Sequence, residues 1–326
     1  MSAAWDAGVT LFDTARSYGY GEAEALLGEF LAGKRKQATI ITKFGITARA
    51  QPVWRRAAKP VVRAALSAVP SLRARLRRGL ANEMSAPAFS VAGLNASLEA
   101  SLRALRTDTV DVLLAHEAPA SLMQQDDLMD ALAMVVKAGK ALRVGISGSQ
   151  QVAASVVSQG SALLSVVQFP ANRWIAAETS LRSAKCLRIA NHTFGGALRV
   201  REMQAKLAAM RDDPRVSEEL RERLRGDLDV VLAEIVFSAV QRETGAEWIV
   251  ASMMQPKHLQ ANVAAMGRGY PPLPPGRGCG FVSCLESMVL KIGCLQSIHC
   301  RGFKWQRPCS CGFCEFSTDG EAGCGR

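Results

Sequence analysis

Seven short apolar runs rich in β-branched residues recur along the chain, at Val9 to Phe12, Thr39 to Thr42, Val110 to Leu114, Leu142 to Ile146, Leu164 to Gln168, Leu187 to Ala190 and Trp248 to Ala251. Each has the length of a strand buried on both faces of a parallel sheet. Segments with helical spacing separate or follow them, at Glu22 to Leu31, Val91 to Leu105, Asp126 to Ala138, Gln150 to Ser158, Val216 to Glu243 and Pro256 to Met266. This alternation predicts an α/β fold. It suits either an open doubly wound sheet or a closed TIM-type (β/α)8 barrel. A glycine-rich dinucleotide turn directly after the first strand would mark the open sheet. None is present, because Gly19 and Gly21 come only after Asp13 and Tyr18. The barrel is therefore the expected fold. A closed barrel needs eight strands, and Ala3, Ala4 and Trp5 read as the last turn of a helix ending at Gly8. The expectation is a barrel that lacks its first strand and most of its first helix.

Composition divides the chain further. No acidic residue stands between Phe30 and Asn82, a stretch that holds Lys34, Arg35, Lys36, Arg55, Arg56, Lys59, Arg63, Arg73, Arg75, Arg77 and Arg78. Much of the net charge of +11 is gathered there. A basic insertion over about 46–88 is expected, solvated by default. Its Trp54, Val61, Val62, Leu66, Leu72 and Leu76 also give it a route to an anionic membrane surface. Pro271, Pro272, Pro274 and Pro275 close the regular part, so the barrel is expected over 1–275. A glycine- and cysteine-rich tail over 276–326 reads as a poorly ordered extension, or as sequence past a shifted reading frame. Cys186 is alone among the first 278 residues, as befits a reduced, cytoplasmic protein. The tail offers His299, Cys300, Cys309, Cys311 and Cys314, but not the paired spacing of a zinc site, and no metal is expected. No apolar run approaches the roughly 20 residues of a membrane span, and the first residues lack the basic start followed by an apolar stretch that marks a signal peptide. A nucleic-acid partner is not expected.

Four polar residues stand at or just past the C-terminal ends of consecutive strands, where barrels keep their chemistry: Asp13, Tyr18, Lys43 and His116. A free tyrosine, with a pKa of about 10, gives up its proton reluctantly. Lys43 can supply a cation that stabilises the phenolate, Asp13 can hold the ammonium, and His116 can bind and orient a carbonyl oxygen. Each residue alone is more often structural; the ordered set points to a proton donor for carbonyl chemistry.

The run Gly8-Val9-Thr10-Leu11-Phe12-Asp13-Thr14-Ala15, followed by Tyr18-Gly19 and Glu24-Ala25-Leu26-Leu27-Gly28, resembles the aldo-keto reductase signature. Ile41-Thr42-Lys43, Asp108 to His116, Gly139-Lys140, Val144 to Ser147 and Val167-Gln168 continue the resemblance in the same order. It covers about Ala4 to Pro275. It implies an enzyme that reduces an aldehyde, ketone or sugar carbonyl to an alcohol, or runs the reverse, with Asp13, Tyr18, Lys43 and His116 as its tetrad. It also implies NADPH as cofactor, with NADH as the alternative, and a small carbonyl compound as partner. By the same analogy Ser147 and Gln168 hold the nicotinamide carboxamide, while Ser252, His258 and Asn262 hold the adenosine end. Gly148 stands where the family often has asparagine. Asn191 and His192 stand where a tyrosine usually stacks on the nicotinamide, which leaves Phe194 as the platform. The rival reading is a non-catalytic or truncated barrel that binds nucleotide or a membrane surface without turnover.

Overall fold

The computed structural model describes residues 1–47 and 89–267. The basic insertion beyond residue 47 and the tail over 276–326 lie outside the described residues. Within them, seven strands form one parallel sheet in sequential order. They are β1 (Leu11–Asp13), β2 (Thr39–Phe44), β3 (Val110–His116), β4 (Ala141–Ser147), β5 (Leu164–Pro170), β6 (Leu187–Asn191) and β7 (Trp248–Ile249). All seven coincide with the apolar runs in the sequence, displaced by a residue or two at their ends.

The sheet is curled. Seven strands laid flat would span nearly 30 Å at about 4.8 Å apiece, yet Leu11 of β1 and Trp248 of β7 pack against one buried cluster of Ile41, Val112, Leu114, Val166 and Ile189. Only a sheet that bends round on itself brings its two ends to a common core. Gly145 permits the tightest approach in it. A Cβ there would lie 1.9 Å from the Val166 carbonyl oxygen, beside a register shift between Val144 and Gly145.

The helices are α1 (Ser2–Asp6), α2 (Ala23–Phe30), α3 (Val91–Leu105), α4 (Asp126–Lys137), α5 (Gln150–Ser158), α6 (Thr179–Arg182), α7 (Ala197–Met210), α8 (Glu218–Arg225), α9 (Leu228–Thr244) and α10 (Pro256–Gly267). α3 shows why such segments form. The Ser90 hydroxyl accepts from the Gly93 amide at its start, Leu94, Leu98, Leu102 and Leu105 bury one stripe, and Arg106 ends it in the left-handed region. α2 meets α3 closely, since a Cβ on Gly28 would stand 2.4 Å from the Ala104 carbonyl oxygen.

One helical expectation needs correction, and one helix had no expectation. The segment Val216 to Glu243 is not one helix: α8 stops at Gly226, and Asp227 starts α9 by accepting from the Asp229 amide. A side chain that captures an amide two residues on begins a new helix rather than continuing the old one. α7 gave no legible stripe in the sequence, because it buries only Met203 and Leu207. Among the described residues no helix is long and apolar enough to cross a membrane.

Candidate active site

Along each strand, side chains two residues apart share a face. Leu11, Ile41, Leu114 and Val166 belong to the apolar cluster inside the curl. Two positions further on stand Asp13, Lys43, His116 and Gln168, and Ser147 pairs in register with both His116 and Gln168. The inner face thus changes from an apolar floor to a polar layer at the C-terminal ends of the strands. Lys43 is only 1% exposed, and His116, Ser147 and Gln168 are also buried.

The polar layer is connected. Lys43 Nζ donates to Asp13 Oδ1 at 2.6 Å, to the Thr14 carbonyl oxygen at 3.2 Å and to Tyr18 Oη at 3.2 Å. Gln168 Nε2 donates to the same Asp13 oxygen at 3.1 Å, tying β5 to β1. The imidazole of His116 meets the Tyr18 ring edge to face, with centroids 5.7 Å apart. Tyr18 itself opens the 3-10 turn Tyr18–Gly21 and is 37% exposed, so its hydroxyl belongs to a ring that faces both the site and solvent. Behind this layer Glu24 is buried and held by Arg16 and by the Thr42 hydroxyl, which fixes the start of α2 against β2.

Burial governs the electrostatics. It lowers the Lys43 pKa, while the Asp13 charge and hydrogen bond work in the opposite direction. His116 is held down to about 4, first by desolvation and then by the Lys43 charge, so its imidazole is neutral at ordinary pH. The Tyr18 pKa is raised, chiefly by burial and then by the Asp13 and Glu117 carboxylates. This corrects the expectation that Lys43 draws the phenol pKa down. The ammonium is in contact, but Asp13 balances its charge and burial penalises the phenolate. Tyr18 therefore keeps its proton at ordinary pH.

Several buried polar atoms here lack a hydrogen-bond partner, among them Thr14 Oγ1, Ser17 Oγ, His116 Nδ1, Gln168 Oε1 and, further out, Asn262 Nδ2. An unpaired buried polar atom is unfavourable by about 1–3 kcal/mol, which a ligand would relieve. Gln168 Oε1, beside Ser147, is an acceptor suited to an amide N–H, and Asn262 Nδ2 is a donor on α10. The residues present therefore fit a nicotinamide nucleotide. His258 is half-buried on α10 and Ser252 is exposed in the loop after β7. Phe194 lies elsewhere in emphasis, its ring packed edge to face on Phe237 of α9 at 5.6 Å. His192 is exposed and bonded to Asn191. Among the described residues no group of three or more His, Cys, Asp or Glu is arranged to hold a metal ion.

Sequence reasoning did not single out Glu117, which follows His116 and bears on both Tyr18 and Lys43. A charged residue directly after a strand-end histidine was the available signal.

The model of the aldo/keto reductase family matches residues 1–270. A pyridoxal 4-dehydrogenase from Microbacterium luteolum is 49% identical over 45 residues, 14% of this chain and 13% of that protein. A 6-dehydroglucose reductase from Agrobacterium fabrum is 34% identical over 143 residues, 43% of this chain and 39% of its own length. The chain thus matches well under half of either curated relative. An aldo-keto reductase from Bacillus halodurans, solved in its holo form, has the same fold: TM-score 0.55 at 14% identity, over 89% of this chain and 84% of that one.

Proposed function

Because the chain belongs to the aldo/keto reductase family, we propose that it is an NAD(P)H-dependent oxidoreductase that interconverts a small carbonyl compound and its alcohol, with Tyr18 as the proton donor. The observation that carries this reading is the convergence of Asp13, Lys43 and Tyr18, with Lys43 Nζ bonded to both side chains at 2.6 and 3.2 Å. Relatives named as a reductase and as a dehydrogenase are consistent with either direction of reaction.

When bound, the reduced nicotinamide supplies a hydride to the carbonyl carbon. Tyr18 Oη donates its proton to the carbonyl oxygen, and Lys43 stabilises the phenolate left behind. Asp13 keeps the ammonium charged within the buried layer. The neutral His116 donates an N–H to the same carbonyl oxygen and sets its direction. Ser147 and Gln168 Oε1 would hold the carboxamide, and Asn262, His258 and Ser252 the adenosine end. NADPH is the preferred nucleotide, with His258 and the exposed Lys257 as the nearby cations. Phe194 would need to turn part of its ring from Phe237 to serve as a platform.

The test is nucleotide oxidation with a panel of aldehydes, ketones and sugars, comparing the chain with Tyr18→Phe. Loss of a general acid lowers turnover by roughly 10²–10⁴-fold, while nucleotide binding should persist. Nucleotide binding with no turnover in the unmodified chain would favour a non-catalytic barrel instead.

A further inference from the structure

Glu117 stands where β3 leaves the sheet, and its backbone lies in the left-handed region at φ 53°. That region suits glycine and, among other residues, the short side chains of asparagine and aspartate. The strained position is not a soft loop. His116 before it is paired in register with Ser147, and the Ala118 amide after it donates to the Ser147 carbonyl oxygen at 3.0 Å. Both neighbours are buried and anchored to β4, so the Glu117 backbone is fixed directly beside His116, close enough for its charge to act on Tyr18 and Lys43. A residue held in such a conformation by well-determined surroundings is a pointer to function.

Its charge is available to a ligand. Asp13 is buried and neutralised by Lys43, whereas Glu117 is exposed and its field raises the pKa of Tyr18 and of Lys43 alike. A carboxylate is an acceptor only. It forms charge-assisted hydrogen bonds with hydroxyl groups and repels other carboxylates.

We propose that Glu117 sets the substrate class of this site, accepting a hydrogen bond from a hydroxyl group beside the substrate carbonyl and excluding carbonyl compounds that carry a carboxylate. The inference rests on the reductase reading above. It predicts that glyceraldehyde is preferred to propionaldehyde, and butyraldehyde to succinic semialdehyde.

The experiment compares kcat/KM for these four aldehydes in the unmodified chain, in Glu117→Gln and in Glu117→Gly. Glutamine keeps the length and the left-handed strain but removes the charge; glycine removes both. Both variants should raise succinic semialdehyde relative to butyraldehyde by about tenfold, the scale of charge repulsion across several ångströms near a protein surface. Glu117→Gly should also lower glyceraldehyde relative to propionaldehyde by about tenfold. Ratios unchanged in both variants, with butyraldehyde still turned over, overturn the inference and leave the reductase reading standing. A change in the succinic semialdehyde ratio in the glycine variant alone assigns that effect to the backbone rather than the charge and also overturns the inference. An unmodified chain that reduces none of the four, while turning over other members of the carbonyl panel, overturns the inference alone; one that turns over no member of that panel overturns the reductase reading, and the inference with it.

Discussion

Replacing Asp13 by asparagine removes one charge from the buried layer and keeps its shape. Lys43 would retain the Thr14 carbonyl and the Tyr18 hydroxyl at 3.2 Å, but lose the carboxylate at 2.6 Å. Breaking a buried ion pair on one side is destabilising by about 3–5 kcal/mol. Asparagine still offers an acceptor, so the lower end applies, about 3 kcal/mol, or about 4 °C in Tm for a chain of 326 residues. The sign of the pH dependence follows from Lys43. Burial already lowers its pKa, and Asp13 supplies the largest opposing contributions. In Asp13→Asn the folded pKa falls further, and Lys43 becomes neutral where the unfolded chain still binds the proton. Stability then rises with pH up to the unfolded lysine value, by at most about 1.4 kcal/mol per pH unit. The unmodified protein shares part of this rise because its own Lys43 is depressed, so the Tm gap to Asp13→Asn, followed by circular dichroism, should narrow as pH rises through the interval in which Lys43 is neutral in the variant and still charged in the unmodified protein. Turnover should fall by about 10²-fold at neutral pH, the scale for losing an electrostatic stabiliser of a developing anion. A Tm gap that is absent, or that does not change with pH, would refute a charged and mutually dependent Lys43–Asp13 pair.

Two further outcomes follow from the same geometry. His116, held down to about 4, is protonated in the unfolded chain below its ordinary value but not in the folded one, so stability should fall as pH drops from about 6.5 towards 4; in His116→Gln this slope in a Tm-against-pH series should flatten. Gly28→Ala would force a methyl group to 2.4 Å from the Ala104 carbonyl oxygen, and should lower stability by about 1–3 kcal/mol in a urea titration by separating α2 from α3.

The strands were legible because a parallel strand covered on both faces must be apolar nearly throughout, as Val110 to Ala115 and Leu164 to Val167 are. α3 and α5 were legible to the residue from the spacing of their apolar positions, and the structure adds a serine cap at the start of each, Ser90 and Ser149. α7 was not, because its outer face carries charges and Leu198 is exposed, so no stripe stands out. The break between α8 and α9 rested on a single glycine followed by a capping aspartate. In the site, the polar strand-end residues announced themselves, but the direction of the Tyr18 pKa did not. It depends on how deeply the ring is covered and how close two carboxylates come, which no spacing in a sequence encodes. Glu117 was hidden for a similar reason, its interest lying in a backbone angle.

The hydrogen bond from Gln168 to Asp13 has a consequence for recognition. A side-chain amide can present either its oxygen or its nitrogen to a visitor, and in most pockets a half-turn interchanges them. Here the Asp13 carboxylate captures the nitrogen and leaves the buried oxygen without a partner. Asp13 thereby acts as a polarity lock on a residue 155 positions away along the chain. If the carboxylate is protonated or replaced, Gln168 is free to turn and would greet an incoming amide donor with a donor of its own. The carboxylate that pairs with Lys43 thus also fixes which end of the Gln168 amide is left without a partner.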